Sequence, residues 1–387
     1  MRHSPFSFGV IAARFREPST WLNLLLVFVP ITIILELSHG NPTLLFITAA
    51  LGIIPLAGLL GESTDALAAK AGDRIGALLN ATLGNAAELI ITIVALQAGL
   101  LEVVKASITG SILGNLLLVL GVSLLAGGLK NGVQKFDRSA VSVMMTTMTI
   151  AIIGLVIPSL FGHAIETVNH ASVEYLSIGV AIALMASYIV SMIFTFRQPS
   201  QNGGAVAEAE DSPHAHQPKK GLLKDFRVAL GVLLGSVALL ALLSEILVGA
   251  VEPLIEAQGL SELFVGVIIV PIIGNAAEHL VAVEMALKNR MELSLGIAIG
   301  SSLQIAVFVA PLLVFIALLF GQQLTLVFNQ FELAALLAAV IITALISLDG
   351  ESNWFEGAQL LIVYIILAIA FFFLPTGVEG AAALLGR

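Results

Sequence analysis

The sequence predicts an all-α polytopic membrane protein: about eleven transmembrane helices, arranged as two inverted five-helix repeats after one extra N-terminal helix. Three observations lead there: an apolar composition, apolar runs long enough to span a bilayer, and an internal repeat. Of the 387 residues, 58% are hydrophobic and 11% are charged, with a mean hydropathy of +1.03. A soluble domain carries about 25% charged residues, and a disordered chain needs low hydrophobicity. Both classes are therefore excluded.

Composition also limits the chemistry. The net charge of −9 disfavours a nucleic-acid partner, because phosphate binding needs a basic surface. The absence of cysteine removes disulfides, thiol catalysis and cysteine metal sites. The sequence has no His-Glu-x-x-His motif and no evident partner for a serine nucleophile. We therefore predict that the protein is not an enzyme and has no resident cofactor, and that its partners are ions and the lipid bilayer. A homo-oligomer is compatible with the sequence.

Eleven apolar runs predict the membrane spans. A hydrocarbon core about 30 Å thick needs roughly 20 apolar residues per helix, whereas a membrane strand needs only about ten in alternation. The runs are continuous, so helices are favoured. They cover residues 21–38, 43–69, 75–99, 102–127, 138–160, 172–196, 226–250, 262–287, 292–319, 325–347 and 355–375.

The positions of the basic residues predict the orientation. With the N-terminus inside, only Lys105 and Arg387 of the seventeen lysines and arginines fall outside. Basic residues concentrate in cytoplasmic loops, so the N-terminus is predicted to be cytoplasmic and the C-terminus outside. No removable signal or organelle signal is evident. This favours a prokaryotic plasma (inner) membrane, with a vacuolar or other organellar membrane as the alternative.

The chain divides near its middle. Residues 198–221 are rich in Pro, Gly, Ser and Gln and are predicted to form a cytoplasmic linker. Residues 1–42 then form the N-terminus with the extra helix, 43–197 the first five-helix repeat, and 222–387 the second. The linker acids Glu208, Glu210 and Asp211 are interpreted as solvated, and a regulatory calcium-sensing role is the alternative.

A five-residue motif occurs twice. Gly84–Glu88 reads Gly-Asn-Ala-Ala-Glu, and Gly274–Glu278 repeats it in the second half of the chain. Gly110-Ser111 and Gly300-Ser301 keep the same offset in the numbering, which indicates two copies of one unit. Five spans separate equivalent positions, so the copies have opposite orientation, as in secondary transporters. Gly84, Gly274 and Pro271 predict that both motif helices are interrupted.

The two motif glutamates are predicted to lie near mid-bilayer. An ionisable group there costs about 2.5–3.5 kcal/mol, and duplication of Glu88 as Glu278 argues against a mere packing role. Asn85 and Asn275 each lie three residues earlier, on the same helix face. Oxygen ligands of this kind suit Ca²⁺, and burial also favours protonation of carboxylates. Competition between Ca²⁺ and H⁺ for one pair is the minimum requirement of an antiporter.

Other polar and small residues are assigned around this pair. Small residues of membrane helices usually permit close packing, and this is the interpretation for Ser107 and Ser302. A packed or hydrogen-bonded structural role is favoured for His279. Acids at the predicted mouths are expected to concentrate cations, with solvated helix ends as the alternative. Lining residues are Ser111, Ser301, Asn115 and Gln304; motif backbone positions are Gly84, Gly274, Ala86 and Ala276; entrance acids are Asp65, Glu62, Glu245 and Glu252.

These residues resemble a known family. Asn80–Leu89, Gly110–Asn115, Gly274–His279 and Asp349–Gly357 are similar to motifs of the Ca²⁺/H⁺ exchangers, the cation/proton exchanger branch of the calcium/cation antiporter superfamily. The resemblance runs from about residue 43 to 375. It implies inverted repeats with kinked motif helices, and export of cytosolic Ca²⁺ against inward proton flow.

The resemblance also implies residue roles. It places the cation site at Glu88 and Glu278, surrounded by Asn85, Asn275, Ser111, Ser301 and Gln304, and an entrance acid at Asp65. Glu245 and Glu252 match acidic positions of the seventh span. The linker lacks the strongly acidic helix of many relatives, which argues against calcium sensing there. The long N-terminal extension of plant vacuolar members is also missing, so autoinhibition from that end is not expected.

Three other transport functions remain as alternatives. Sodium/calcium exchangers of the same superfamily typically carry Thr-Ser and Pro before the motif acid, where this chain has Asn-Ala-Ala in both halves. This difference favours proton coupling. Proton-driven sodium export is a second alternative, because a carboxylate–amide site does not by itself exclude Na⁺. A passive channel would more naturally use oligomeric rings of carbonyls or acids.

Overall fold

The computed structural model describes residues 22–166, 170–197, 223 and 225–374. Within them, nine helices are long and apolar enough to cross a membrane, and two shorter apolar helices, Leu22–Leu37 and Gln330–Ile346, occupy the first and tenth predicted runs. The all-α polytopic class is therefore confirmed. The predicted linker 198–221 lies outside the described residues.

The first half begins with a short 3₁₀ turn, Leu25–Val27, before the first helix. A π-helical segment, Gly114–Val119, interrupts the fourth predicted span. The helices are α1 (Phe28–Leu37), α2 (Pro42–Ala71), α3 (Asp73–Leu83), α4 (Ala86–Gln97), α5 (Leu101–Leu113), α6 (Leu120–Asn131), α7 (Arg138–Glu166) and α8 (His170–Arg197), with strand β1 (Gln134–Lys135) between α6 and α7.

The second half contains two further π-helical segments, Val265–Ile269 and Ile305–Val309. The latter corresponds, at the offset of the two motifs, to the π-helical segment of the first half. One short turn, Glu262–Phe264, precedes Val265. The helices are α9 (Phe226–Gly249), α10 (Val251–Gln258), α11 (Val270–Leu287), α12 (Met291–Gln304), α13 (Ala310–Leu319), α14 (Gln330–Ile346) and α15 (Trp354–Phe372), with strand β2 (Glu351–Ser352) before α15.

The buried core lies where the two halves meet, because α2 packs along α9, and α6 packs along α11 and α15. A two-residue ribbon joins the halves at one end, where β1 pairs antiparallel with β2 and Lys135 lies opposite Glu351. The hydrogen bond from Lys135 Nζ to Glu351, 2.9 Å long, raises the pKa of the lysine. We call this the ribbon end of the bundle and the opposite one the far end.

The tenth predicted helix begins later than expected. The run starts at residue 325, but the helix begins at Gln330, and residues 324–328 are not helical. The Leu326 and Phe328 N–H groups donate instead to the hydroxyls of Ser177 and Ser159, at 3.1 and 2.9 Å. These side chains satisfy buried backbone groups that a membrane protein cannot leave unpaired. The non-helical segment is thereby held at the far end.

The two motif helices differ. In the first half, α3 ends at Leu83 and α4 starts at Ala86, with Asn85 outside the helical region at φ −97° and ψ 27°. The predicted interruption is therefore present at Gly84-Asn85. The predicted interruption at Gly274 is wrong, since α11 runs unbroken through it. The departure from α-helical geometry in this span lies earlier, in the π-helical segment Val265–Ile269.

Candidate cation and proton site

Glu88 reaches from the first motif to the second. It lies in the first turn of α4 and is 6% exposed. A Cβ atom added at Gly274 would lie 3.3 Å from Glu88 Cγ and 3.7 Å from Glu88 Oε1. The absence of a side chain at Gly274 thus provides room for the carboxylate. This contact explains the second motif glycine better than helix breaking does.

Glu278 lies on α11, one helical turn beyond Gly274. It is half-buried, and its carboxylate acts electrostatically on Glu88. The hydroxyl group of Ser301 on α12 lies beside Glu278. The structure therefore brings together the two motif glutamates, although they belong to opposite halves of the chain.

Each motif asparagine bonds to a serine of the other half. Ser301 Oγ donates to Asn85 Oδ1 at 2.9 Å, and Asn275 Nδ2 donates to Ser111 Oγ at 3.3 Å. The pairs Asn85–Ser301 and Asn275–Ser111 occupy equivalent positions at the offset of the two motifs. The two motifs are thus held by polar helices α12 and α5, each from the opposite half.

Two further bonds complete the polar shell. Asn85 Nδ2 donates to Gln304 Oε1 at 2.6 Å. His279 Nε2 lies 3.2 Å from Asn115 Oδ1, and because an amide oxygen only accepts, Nε2 carries the proton in this contact. Asn115 belongs to the π-helical segment Gly114–Val119. Sequence spacing alone could not pair these two residues, because it does not fix where a π-helical turn directs its side chains.

Three buried oxygen atoms of the site have no hydrogen-bond partner: Glu88 Oε1, Glu278 Oε2 and Asn275 Oδ1. Leaving a buried polar group unpaired costs about 1–3 kcal/mol. All three are hard oxygen donors of the type that Ca²⁺ takes. Within the described residues no group of three or more His, Cys, Asp or Glu side chains could hold a metal. The candidate donor set therefore combines carboxylate and amide oxygens.

The four entrance acids separate into two pairs. Asp65 and Glu62 are half-buried on α2, and Asp65 interacts electrostatically with both Glu62 and Glu278. Glu245 is exposed on α9, and Glu252 is exposed on α10, where it acts on Glu262. Only the first pair is thus linked to the candidate site by a described interaction.

The remaining predicted positions lie in or beside this shell. Ala86 is buried and Ala276 half-buried in the two motifs, and Gly84 faces Gln304, whose Oε1 lies 3.6 Å from a Cβ added there. Ser302 donates to the carbonyl of Ala298 in its own helix.

Comparison with known proteins places the chain in a family. The family model described as "Sodium/calcium exchanger protein" matches residues 41–197 and 228–373. A Ca²⁺/H⁺ antiporter of Aphanothece halophytica is 43% identical over 360 residues, covering 91% of this chain and 96% of its own length. The Ca²⁺/H⁺ antiporter ChaA of Bacillus subtilis (strain 168) is 44% identical over 351 residues, covering 89% and 97%.

A solved structure supports the same assignment. The structure of native YfkE superposes with a TM-score of 0.78 at 42% sequence identity, covering 91% of this chain and 100% of that one. The family match spans most of both halves, and the relatives align along nearly their full length. The chain belongs to the sodium/calcium exchanger protein family, whose members are membrane transporters and not enzymes.

Proposed function

We propose that the protein is a secondary antiporter that exports cytosolic Ca²⁺ in exchange for H⁺. The observation that carries the proposal is the set of three unpartnered buried oxygens, Glu88 Oε1, Glu278 Oε2 and Asn275 Oδ1. Similarity to two Ca²⁺/H⁺ antiporters supports the choice of ions. A cation bound by these atoms would remove the cost of leaving them unpaired.

The same pair of glutamates accounts for the exchange. One Ca²⁺ or two protons neutralise Glu88 and Glu278 equally well, and a buried carboxylate pair does not favour two negative charges. Ca²⁺ must therefore leave before the pair is protonated, and protons must leave before Ca²⁺ binds. Asp65 and Glu62 extend the negative charge along α2 and would attract cations towards Glu278.

A difference between the halves supports alternating access. In the second half, Val265 is 0% exposed, and a Cβ added to Gly266 would lie 2.5 Å from Ala106 Cβ, so this segment is closed against α5. The equivalent Ile75 on α3 is 57% exposed, and Gly76 approaches Ala68 of α2 instead. We infer that the site is sealed on the α5 side and open on the α3 side. If the first half packed closely and the second half opened, the site would be open on the α5 side and sealed on the α3 side, which is the other state of an alternating-access cycle.

The layout proposed from the sequence is retained. Residues 43–197 and 222–387 are taken as inverted copies, because the asparagine–serine bonds and two π-helical segments recur at one offset. The ribbon end carries Lys130, Lys135 and Lys288 and is proposed to face the cytoplasm of a prokaryotic cell. The α3 side of the site would then open inward.

Flux through reconstituted protein tests the proposal. The purified chain is placed in proteoliposomes with an imposed proton gradient, and Ca²⁺, Na⁺ and K⁺ are offered one at a time. We expect Ca²⁺ uptake only when an opposing proton gradient is present. Uptake of Na⁺ with none of Ca²⁺ would identify a sodium exporter, and Ca²⁺ flux down its own gradient at equal pH, without countertransport, would identify a channel. Either result would overturn the proposal.

A further inference from the structure

A second buried carboxylate lies outside the candidate site, at the far end of the bundle. Glu332 is 2% exposed in the first turn of α14. Its Oε2 accepts from the Asn329 N–H at 3.0 Å, and its Oε1 accepts from Thr109 Oγ1 on α5 at 3.0 Å. We call Lys105, Thr109 and Glu332 the Glu332 seam.

The charged groups that act on Glu332, among the described residues, both come from α5. Lys105 attracts it and Glu102 repels it. Lys105 Nζ also pairs with Glu102 at 2.5 Å and donates to the Val327 carbonyl at 3.4 Å. The π-helical segment 114–119, which also packs on α14, carries no charged residue. The ionised seam therefore ties α5 to α14 and to the non-helical segment before it.

The duplicated architecture supplies an internal comparison. Lys105 and Thr109 lie one helical turn apart on α5, and the equivalent positions on α12 are Leu295 and Ile299. Both of these are apolar, 1% and 0% exposed. The position equivalent to Glu332 is Ser142 on α7, the helix that packs against α12. Ser142 is exposed, and α7 and α12 therefore pack together without a buried carboxylate at this position. The burial of Glu332 calls for a reason other than stability.

Replacing a charged, hydrogen-bonded group by apolar side chains is often neutral or stabilising, whereas keeping it buried is costly. We propose that the Glu332 seam is a second proton-binding site, separate from the candidate cation site, and that its charge state sets how firmly α5 is held to α14. The proposal rests on the proposed transport function for its effect on turnover, but not for the proton site itself.

Protonation changes the bonds of the seam in a defined way. The ionised Glu332 accepts the Thr109 hydroxyl hydrogen and attracts Lys105. Once a proton binds to the carboxylate, the attraction to Lys105 is lost, and the hydrogen bond from Thr109 no longer has a charged acceptor. The neutral carboxyl group still accepts through its remaining lone pairs, but a hydrogen bond to a neutral acceptor is weaker than one to a carboxylate. The contact between α5 and α14 is therefore weaker in acid.

The contact between α5 and α14 affects the candidate site because other faces of α5 pack against the second motif helix, α11. Gly110 packs against Pro271, where an added Cβ would lie 2.6 Å from its Cγ, and Ser111 bonds to Asn275. Opening the far end requires α11 to separate from α5. When Glu332 is ionised, α5 stays in contact with α14 while α11 moves away. When Glu332 is protonated, α5 moves with α11, and the opening is slower. Acid is thus expected to lower the maximal rate of turnover.

The test is ⁴⁵Ca²⁺/Ca²⁺ exchange in proteoliposomes at saturating Ca²⁺ and equal pH on both sides, from about pH 5.5 to 8.5. Equal pH removes the driving force, and saturation removes competition at the candidate site. We expect the wild-type maximal rate to fall roughly fivefold or more in acid, within the range of site-to-site coupling. Glu332→Gln should show a low maximal rate that no longer changes with pH. Thr109→Val should also have a lower maximal rate and a weaker dependence of that rate on pH.

The matched control is Glu356→Gln, because Asn353 and Glu356 form the same capping arrangement at the start of α15 without contact to α5. Its maximal rate should depend on pH as in the wild type.

A second readout needs no transport: amide hydrogen exchange of α5 at one pH should be faster in Glu332→Gln and unchanged in Glu356→Gln. A wild-type pH profile or wild-type α5 exchange in Glu332→Gln would overturn the proposal. Absent exchange in the wild type would instead count against the proposed function.

Discussion

Asn85 accepts a hydrogen bond from Ser301, which lies in the other half of the chain, at 2.9 Å. The bond joins the first motif to the polar helix of the second half. Ser301→Ala is expected to raise the Ca²⁺ concentration for half-maximal uptake about two- to tenfold, since a lost hydrogen bond costs about 0.5–1.5 kcal/mol. Uptake into proteoliposomes measures this. Ser302→Ala is the control, because Ser302 bonds only to its own helix; equal effects of both changes would contradict the assignment.

Gln304 is predicted to matter through Asn85. Its Oε1 accepts from Asn85 Nδ2 at 2.6 Å, and Gln304→Met would leave that donor buried and unpaired, at a cost of about 1–3 kcal/mol. We expect the apparent Ca²⁺ affinity to fall at least about fivefold. Gln258→Met, at an exposed position of α10, should leave uptake unchanged. If Gln304→Met transports with wild-type affinity, the hydrogen bond does not position Asn85.

The close crossing of α5 and the segment before α11 predicts a stability difference between two glycines. A Cβ at Gly110 would collide with the Val267 carbonyl and Pro271, whereas one at Gly296 would meet nothing within 4 Å. Overpacking typically costs about 1–3 kcal/mol. Gly110→Ala should therefore lower the thermal unfolding temperature in detergent, and Gly296→Ala should not. Equal unfolding temperatures would show that the two helices are less closely packed than described.

Shared use of Glu88 and Glu278 predicts competition between protons and Ca²⁺. Lowering the pH at equal values on both sides should reduce the apparent Ca²⁺ affinity, because protonated carboxyl groups no longer bind the cation. High Ca²⁺ should restore occupancy of the site. Equilibrium binding of ⁴⁵Ca²⁺ to purified protein between about pH 5 and 8 measures the effect. An affinity that does not change over this range would mean that the two ions use different groups.

Much of the fold could be predicted because membrane spans follow from length and hydrophobicity alone. The confirmed all-α class and the family assignment depended on features that are local in sequence. The start of α14 could not be predicted, since the hydroxyls of Ser159 and Ser177 that pair residues 326 and 328 come from distant helices.

That α11 continues unbroken through Gly274 could not be predicted from the sequence either. Glycine costs about 1 kcal/mol in a helix, but an unpaired backbone group in lipid costs several, so the helix continues. The same glycine then makes room for Glu88, a residue of the other half of the chain. Glu332 was missed although its capping box, Asn329 followed three residues later by Glu332, is a recognisable signal. What the sequence could not show is that Thr109 reaches it from another helix.

The central claim is that Glu88 and Glu278 bind Ca²⁺ and protons alternately, and proton release tests it most directly. Ca²⁺ is added to purified wild-type protein in weakly buffered detergent solution at mildly acidic pH, and released protons are counted with a pH indicator. Glu284→Gln serves as the control, since Glu284 pairs with Lys288 on the surface of α11. We predict that wild type and Glu284→Gln release protons as Ca²⁺ binds, and that Glu88→Gln and Glu278→Gln lose both Ca²⁺ binding and the release. Undiminished Ca²⁺-linked proton release in either glutamate variant would contradict the account.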